Sequence, residues 1–211
     1  MITIVNTGIA NVNSVRNMLA RIGCDARIVE DADRVREADK LILPGVGSYD
    51  AGMRALADKG MGDAIREAVT QRGAALLGIC LGMQLLLEGS EEGNLPGLAL
   101  VPGLAKKFRV EGTKLRVPHM GWNFVRWVRE SAVFPQDSAD QRFYFVHSYH
   151  VECRDPADVT GVTHYGTDFV SVLQRGRIFG AQFHPEKSHR FGMEVLGRYA
   201  ALAPAAAGSA A

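Results

Sequence analysis

The sequence predicts an α/β fold: an open, mainly parallel central sheet with helices on both faces and an antiparallel β extension. About the first ninety residues alternate between short apolar strands and amphipathic helices, the pattern of a parallel sheet covered on both sides. From about Leu98, β-branched and aromatic runs broken by glycine, proline and aspartate replace that alternation. Such runs are typical of strands joined by turns.

The elements of the first half follow from short apolar runs and helix signals. Asn11 is placed to cap a helix and Gly23 to end it, with Val12, Val15, Leu19 and Ile22 on one face. A helical region around Ile65 and Val69 precedes the strand that leads to Cys80. The predicted strands are residues 2–5, 26–29, 40–43 and 74–79, and a further helix is predicted over 81–87.

The second half predicts strands within four segments and one closing helix. The helix covers about residues 190–202, and we expect one domain over 1–202. The alanine-rich tail, residues 203–211, is expected to be disordered. The segments that predict strands are 107–110, 114–128, 142–154 and 169–186.

The composition excludes several functional classes. The 211 residues include 24 basic and 23 acidic residues, well mixed along the chain, which disfavours nucleic acid and anionic membranes as partners. No leader or membrane-spanning stretch is recognised. The three cysteines form no C-x-x-C pair, so a disulfide framework is disfavoured and we expect a cytoplasmic protein.

Cys80 lies where a predicted strand meets a predicted helix, in the segment LLGICLGMQLL at 76–86. A sharp strand-to-helix turn exposes the side chain at its tip and needs small neighbours, which Gly78 and Gly82 supply. The positive end of the helix favours thiolate, the reactive form of cysteine. The segment therefore predicts a nucleophile, although a cysteine between apolar runs also fits ordinary core packing.

His184 is the candidate base, because a cysteine nucleophile needs a base and the base needs an orienting group. It ends a predicted strand and is followed by Pro185 and Glu186. Residues two apart in an extended segment point to the same side, so Glu186 can bond one imidazole nitrogen and leave the other for Cys80. A surface ion pair is the alternative. No further ligands have the spacing of a metal site, and we expect neither metal nor cofactor.

The segment 44–47, PGVG, is a candidate for oxyanion binding. Its two glycines let the backbone approach a substrate closely, and acyl transfer needs N–H donors for the oxyanion that forms. We expect one donor from Val46 or Gly47 and another from Leu81. An ordinary turn is the alternative, whereas a phosphate-binding loop is disfavoured because no Gly-Lys-Ser/Thr follows.

Two motifs together resemble the class I, or triad, glutamine amidotransferases: GICLGMQ at 78–84 and FHPE at 183–186. Their order and separation also match that class. Within the class, four stretches resemble the glutaminase subunits of imidazole glycerol phosphate synthases, over residues 1 to about 202. These stretches are LPGVGSYD at 43–50, VPHMGWN at 117–123, FYFVHSY at 143–149 and HPEKS at 184–188.

The resemblance implies a reaction. Cys80 would attack the carboxamide of glutamine, His184 would move the proton and Glu186 would hold His184. Water would then release glutamate, and the ammonia would pass to a separate cyclase subunit with a barrel fold. The cyclase would form imidazole glycerol phosphate and an aminoimidazole carboxamide ribotide in histidine biosynthesis. The positions that match glutamine-binding residues are Gly47, Gln84, Glu92, Ser148 and Tyr149.

The resemblance also implies a partner surface. Asn11, Trp122, Tyr144 and Lys187 match positions that face the cyclase. Core packing explains the two aromatic residues equally well, and most lysines are simply solvated. We further expect the 44–47 segment to be misoriented for oxyanion binding until substrate reaches the cyclase.

Three other functions are consistent with parts of the pattern. The first is a class I subunit that serves anthranilate, guanylate or pyridoxal phosphate synthesis. The second is a cysteine peptidase or esterase built on the same elbow. The third is an interaction module without enzymatic activity, in which Cys80 is structural.

Overall fold

A mixed β-sheet runs through the molecule, and the predicted α/β class is confirmed. The computed structural model describes residues 1–110, 112, 114–136 and 141–205. The strands are β1 (Ile2–Val5), β2 (Ala26–Val29), β3 (Lys40–Gly45), β4 (Ala75–Cys80), β5 (Gly89–Ser90), β6 (Gly103–Lys107), β7 (His119–Phe124), β8 (Arg126–Trp127), β9 (Arg142–His147), β10 (Tyr149–Cys153), β11 (Val159–Tyr165), β12 (Thr167–Arg175) and β13 (Ile178–Ala181). The helices are α1 (Val12–Arg21), α2 (Ala32–Arg36), α3 (Tyr49–Asp58), α4 (Met61–Thr70), α5 (Leu81–Leu85) and α6 (His189–Ala201).

The strand order places the end of the chain beside the middle. The sheet runs β2-β1-β3-β4-β13-β12-β10-β6-β5, with β11 paired to β12 and β8. The strands from β2 to β13 are parallel, and β12, β10 and β6 continue the sheet in antiparallel fashion. A separate antiparallel pair, β7 with β9, lies outside this path. The predicted antiparallel extension is therefore present, and β13 returns to the parallel part next to β4.

Helices pack on both faces of the parallel strands. Leu41 and Leu43 of β3 belong to one buried cluster and Ile42 to another, as alternation along a strand requires. The cluster of Leu41 includes apolar residues of α3, α4 and α5, and the cluster of Ile42 includes those of α1 and α6. Each fully buried side chain of this size stabilises the fold by about 1.5–3 kcal/mol.

Several predicted boundaries hold. The strands at 2–5 and 26–29 have the predicted limits. The Asn11 side chain caps α1 by accepting a hydrogen bond from the Ser14 amide at 3.2 Å. Gly23 follows α1 with φ +74°, the left-handed conformation that ends many helices. The closing helix begins at His189, one residue earlier than predicted.

Other boundaries differ from the prediction. Strand β3 continues through Pro44 and Gly45, which pair with Ile79 and Cys80. Proline is tolerated there because β1 pairs with β3 only near Leu41 and Ile42, so the missing N–H faces no partner strand. Helix α5 ends at Leu85 instead of residue 87. The strand predicted at 107–110 is replaced by β6, which ends at Lys107. Elements α2, α3, β5 and β11 were not predicted.

The C-terminal tail is described only in part. Residues 203–205 have no regular secondary structure, and the Ala203 carbonyl accepts a hydrogen bond from Arg177 at 2.7 Å. The rest of the segment predicted to be disordered, 206–211, lies outside the described residues. Across the described part of the chain, every helix is too short or too polar to cross a membrane.

Candidate active site

Cys80 lies at a strained elbow between β4 and α5. Its backbone has φ 54° and ψ −112°, a conformation that residues other than glycine rarely adopt. Its neighbours must be small, because a Cβ on Gly78 would lie 2.7 Å from the Gly82 carbonyl oxygen and one on Gly82 only 1.8 Å from the Leu43 oxygen. The two glycines predicted around the elbow are thus required by close backbone approach.

His184 reaches the elbow because β13 lies beside β4. Ala181 pairs with Ile79, so the residues after β13 emerge next to Cys80. The His184 Nδ1 lies 2.8 Å from the Glu186 Oε1, and both side chains are buried, at 3% and 6% exposure. The predicted contact exists, but its predicted geometry was wrong. Glu186 lies in a 3-10 turn, Pro185–Lys187, and that turn brings the carboxylate back toward the ring.

The other nitrogen of His184 is left open. Among the described residues, neither the His184 Nε2 nor the Glu186 Oε2 has a hydrogen-bond partner, although both are buried. Burial opposes protonation of His184, but Cys80 and Glu186 outweigh it and raise its pKa to about 9. An imidazolium beside a cysteine favours the thiolate form of that cysteine.

A cavity of about 300 Å³ joins these groups, at the small end of the range for ligand pockets, about 300–1,000 Å³. Of the residues predicted for catalysis, oxyanion binding and glutamine binding, all except Glu186 line it. Glu186 lies behind His184. Pro118, Val146, His147 and Lys187 complete the lining.

Gln182 is a site residue that the sequence did not reveal. It is fully buried and accepts a hydrogen bond from the Gln84 Nε2 at 3.1 Å. Its own Nε2 donates to the Cys80 sulfur at 3.8 Å. A polar side chain inside the apolar run that leads to His184 was the available signal. Gln182 therefore links the proposed nucleophile to Gln84.

Glu92 is positioned by a helix that lies far away in the chain. Its Oε2 accepts a hydrogen bond from the Tyr49 amide at 2.8 Å and so caps α3. Asp50, one residue further along α3, accepts from the Asn94 amide at 3.0 Å and the Leu95 amide at 3.1 Å. Helix α3 thus holds the loop that presents Glu92 to the cavity.

The oxyanion donors predicted in the 44–47 segment are only partly available. The Val46 amide donates to the Ile9 carbonyl at 3.2 Å, so its hydrogen is engaged elsewhere. Gly47 has φ +94°, with open space around its Cα. Leu81 begins α5, where a backbone N–H has no partner within the helix.

Three of the four residues predicted to face a partner lie side by side. The Lys187 Nζ is 5.8 Å from the Tyr144 ring centre, and Tyr144 packs edge-on against Trp122 with 6.1 Å between ring centres. Trp122 is 44% exposed, so the alternative of full core packing does not apply to it. Asn11 is the residue that caps α1, and α1 contacts the Pro185–Lys187 turn.

A second hollow, of about 620 Å³, lies beside this surface. It is lined by Trp122, Phe124, Phe191 and His189, together with two cationic groups, Arg142 and Arg190. Its lining includes no cysteine or carboxylate among the described residues, so the smaller cavity is the candidate active site. Within the described residues, no group of three or more His, Cys, Asp or Glu side chains is arranged to hold a metal ion.

Comparison with known proteins relates this chain to one family. The family model for "Glutamine amidotransferase class-I" matches residues 3–198. The chain is 45% identical over 196 residues to the imidazole glycerol phosphate synthase subunit HisH 2 of Methanococcus maripaludis, a match that covers 93% of this chain and 96% of that one. It is 46% identical over 202 residues to subunit HisH of Moorella thermoacetica, with 95% and 94% covered.

Solved structures share the fold at much lower identity. The structure of PurLQS from Thermotoga maritima superposes with a TM-score of 0.72 at 18% identity, over 94% of this chain and 96% of that chain. The glutaminase domain of CTPS from Trypanosoma brucei gives 0.64 at 15% identity, over 94% and 93%. At this level of identity the similarity concerns the fold alone.

Proposed function

The chain belongs to the class I glutamine amidotransferase family, and from that premise we propose that Cys80, His184 and Glu186 form its catalytic triad. It hydrolyses glutamine as a subunit of imidazole glycerol phosphate synthase, in histidine biosynthesis. One observation carries the triad assignment. His184 is held by Glu186 on one nitrogen, and its other nitrogen, buried and without a geometric hydrogen bond to the described residues, is left for Cys80 in the same cavity.

The first half of the reaction transfers the glutamyl group to sulfur. The Cys80 thiolate attacks the side-chain amide carbon of glutamine, and the carbonyl electrons move to oxygen. When they return, the C–N bond breaks and the His184 imidazolium gives its proton to the leaving nitrogen. The products are ammonia and a glutamyl thioester. Glu186 acts through His184, by holding the ring in place and favouring its charged form.

The second half restores the cysteine. Neutral His184 takes a proton from water, and the hydroxide so formed attacks the thioester carbon. The C–S bond breaks, which releases glutamate and the Cys80 thiolate beside a protonated His184. The triad is then ready for another glutamine.

The substrate's amino-acid end would lie between Gln84 and Glu92. The second Glu92 oxygen is the natural acceptor for an ammonium group, because Oε2 already caps α3. The Gln84 Nε2 donates to the Tyr149 carbonyl and the Gln182 Oε1, which leaves Oε1 of Gln84 to accept from the ligand. Backbone groups of Gly47, Ser148 and Tyr149 complete this proposed subsite.

The oxyanion would be bound by the Leu81 amide and by one amide of the Val46–Gly47 segment. In this structure Val46 is bonded to Ile9, so we propose that the isolated chain hydrolyses glutamine slowly. Docking of the cyclase and its substrate would rotate the segment and complete the site. This restricts glutamine consumption to conditions in which the ammonia can be used.

The ammonia would pass to a separate cyclase subunit with a barrel fold, docked against Asn11, Trp122, Tyr144 and Lys187. The cyclase would use it to form imidazole glycerol phosphate and an aminoimidazole carboxamide ribotide. We place the reaction in the cytoplasm, since the free thiols of Cys24, Cys80 and Cys153 suit a reducing compartment. We also propose that residues 1–202 act as one domain.

Glutamate release by the purified chain, alone and with the cyclase subunit plus its ribonucleotide, tests this assignment. We expect strong stimulation by the complex and complete loss in Cys80→Ala. Cys24→Ala and Cys153→Ala are the matched controls and should keep full activity. Stimulated hydrolysis in Cys80→Ala would contradict the triad. Cys80-dependent cleavage of an ester or peptide, without glutamine hydrolysis, would instead indicate a different enzyme on the same elbow.

A further inference from the structure

Two buried histidines lie at the cavity, and the proposed mechanism does not use them: His147 lines the cavity, and His119 contacts His147. His119 of β7 and His147 of β9 are register partners and are 3% and 6% exposed. The His119 Nδ1 lies 2.9 Å from the His147 Nε2. Two imidazoles at this distance can share only one hydrogen, so one ring donates and the other accepts.

Which ring donates in this contact follows from the hydrogen bond that His147 makes on the cavity side, its inner end. The His147 Nδ1 lies 2.8 Å from the Tyr149 carbonyl oxygen, which can only accept. His147 therefore carries its hydrogen on Nδ1, and its Nε2 accepts from the His119 Nδ1. In a neutral ring, the His119 Nε2 is then an acceptor as well. It faces the Asn123 amide nitrogen at 3.2 Å, which is a donor.

Asn123, at the outer end of this chain of hydrogen bonds, independently requires the same direction of donation. The Asn123 Oδ1 accepts a hydrogen bond from the Phe124 amide at 2.8 Å, and the Asn123 Nδ2 donates to the His164 carbonyl at 3.0 Å. These two bonds fix the orientation of the Asn123 amide and turn its nitrogen toward His119. Both ends thus select one arrangement, in which both rings carry hydrogen on Nδ1.

Aromatic rings surround the pair and keep it neutral. Tyr165 and Phe145 lie 4.1 and 5.0 Å from His119 between ring centres, and Phe108 and Phe169 both lie 5.2 Å from His147. Burial lowers the pKa of His119 to about 4 and that of His147 to about 3. His150 and His184 are the other titratable groups that act on His147, and both oppose its protonation.

The inner end of the chain of bonds reaches the glutamine site. The Tyr149 carbonyl that accepts from His147 also accepts from the Gln84 Nε2 at 3.0 Å. Gln84 in turn donates to Gln182, which donates to the Cys80 sulfur. A displacement of the Tyr149 carbonyl would therefore also displace Gln84, the side chain proposed to hold the substrate.

We propose that His119 and His147 are positioning residues that fix the Tyr149 carbonyl and, through it, the Gln84 amide that binds glutamine. This role rests on the glutaminase function proposed above. It belongs to substrate binding, so its loss should raise KM for glutamine more than it lowers kcat. The pair also links β7, the strand of Trp122 on the proposed partner face, to the substrate pocket.

Nitrogen-15 NMR of histidine-labelled chain tests the geometry without an activity assay. We expect two histidines with hydrogen on Nδ1, the less common neutral form, that stay neutral down to about pH 5. Asn123→Asp supplies a second test, because an aspartate cannot donate to His119. In that variant His119 should become doubly protonated near neutral pH. If His119 or His147 carries its hydrogen on Nε2, or titrates near pH 6.5, the proposed arrangement is wrong.

Steady-state kinetics of the complex with the cyclase and its ribonucleotide test the role. His147→Phe keeps a ring but removes both polar atoms, and we expect KM for glutamine to rise roughly tenfold with kcat within about twofold. His147→Gln retains one donor and one acceptor and should recover most of the affinity. His164→Gln, a change in an exposed ring outside the pair, is the control and should match the unmodified chain.

The outcomes separate the two proposals. If the unmodified complex does not hydrolyse glutamine, the proposed function fails first. If it does, but His147→Phe and His147→Gln bind glutamine as tightly as the control, the positioning role is overturned. An equal loss of kcat in both variants, without a change in KM, would also overturn it. Should His147→Phe not fold, His119→Phe, which removes the donor to the His147 Nε2, takes its place in the comparison of KM.

Discussion

The backbone amide of Val46 donates a hydrogen bond to the carbonyl of Ile9 at 3.2 Å, which turns a proposed oxyanion donor away from Cys80. Completing the site with this donor requires the peptide between Gly45 and Val46, which carries the Val46 N–H, to rotate. Val46 has a glycine on each side, and Gly47 already lies at φ +94°, a conformation that glycine adopts readily. On the proposed mechanism, the resting chain lacks one oxyanion donor, and we expect it to be poor at acyl transfer.

Gly47→Ala should disturb the segment that carries the proposed oxyanion donors, because alanine disfavours the φ of +94° found at this position. We expect glutamine hydrolysis in the complex to fall at least about tenfold, because one oxyanion donor is worth more than that. Gly23→Ala is the matched control, since Gly23 also has a positive φ, +74°, with open space around it. Both variants should lose about 1–2 kcal/mol of unfolding free energy in urea titrations. Equal activity in the two variants would exclude a role for Gly47 beyond folding.

Gly82→Ala should destabilise the nucleophile elbow severely. The new Cβ would lie 1.8 Å from the Leu43 carbonyl oxygen, and β3 cannot move away without breaking its pairing with β4. We expect a loss of about 3 kcal/mol or more, measured by urea denaturation. Gly62→Ala in α4 is the control, because its Cβ would make an ordinary contact at 3.6 Å. That change should be neutral or stabilise by up to about 1 kcal/mol.

The buried pair His119 and His147 should make the fold sensitive to acid. Their folded pKa values, about 4 and about 3, lie below the unfolded value, so below about pH 6.5 the unfolded chain binds more protons. Their contribution to stability is therefore complete above about pH 6.5 and is lost as the pH falls toward 4. His184 behaves oppositely. Its stabilising effect is complete below about pH 6.5 and is lost as the pH rises through about 9.

Unfolding free energies at a series of pH values between 7 and 4 would measure this effect. The double variant His119→Gln, His147→Gln should show a clearly smaller loss of stability across that interval than the unmodified chain. A double variant with an unaltered pH dependence would mean that the pair is not held neutral in the folded state.

Lys187→Ala should weaken the response to the cyclase without affecting the fold. The ammonium group lies over the Tyr144 ring at the exposed surface and also borders the cavity. Its removal should therefore weaken docking of the cyclase and also weaken the effect of docking on the active site. We expect a clear fall in stimulated glutamate release and an unchanged unfolding free energy. Lys59→Ala is the control, because Lys59 is an exposed lysine near Glu30 and away from this surface. Equal stimulation in both variants would remove Lys187 from the partner surface.

The part of the site that could be predicted from the sequence is the part encoded by local pattern. The elbow around Cys80 is a short apolar strand, two glycines and a helix start, and all of these are adjacent in the chain. Helix α3 was missed for a physical reason. Ser48, the residue before it, makes no side-chain cap, and the capping group is Glu92, 43 residues after Tyr49. A local reading of the sequence cannot find such a cap.

The same limit applies to the buried polar groups. The proposed roles of Gln182 and of the pair His119–His147 depend on partners in distant parts of the chain, and only the folded structure brings these partners together. His147 and His119 were visible in the sequence only as individual residues, the first before Ser148 and the second in VPHMGWN. Their pairing became visible only with the register of β7 against β9.

The adjacency of β4 and β13 has an evolutionary consequence. The proposed nucleophile and base are held by the registered pairing of two central strands, while the chain between those strands forms the antiparallel extension and supplies Trp122 and Tyr144 to the proposed partner face. That intervening chain can diverge without disturbing the spacing of the reactive pair. One ammonia-producing core could in this way be inherited by synthases that feed unrelated acceptors, each lineage altering only the face that its own partner meets.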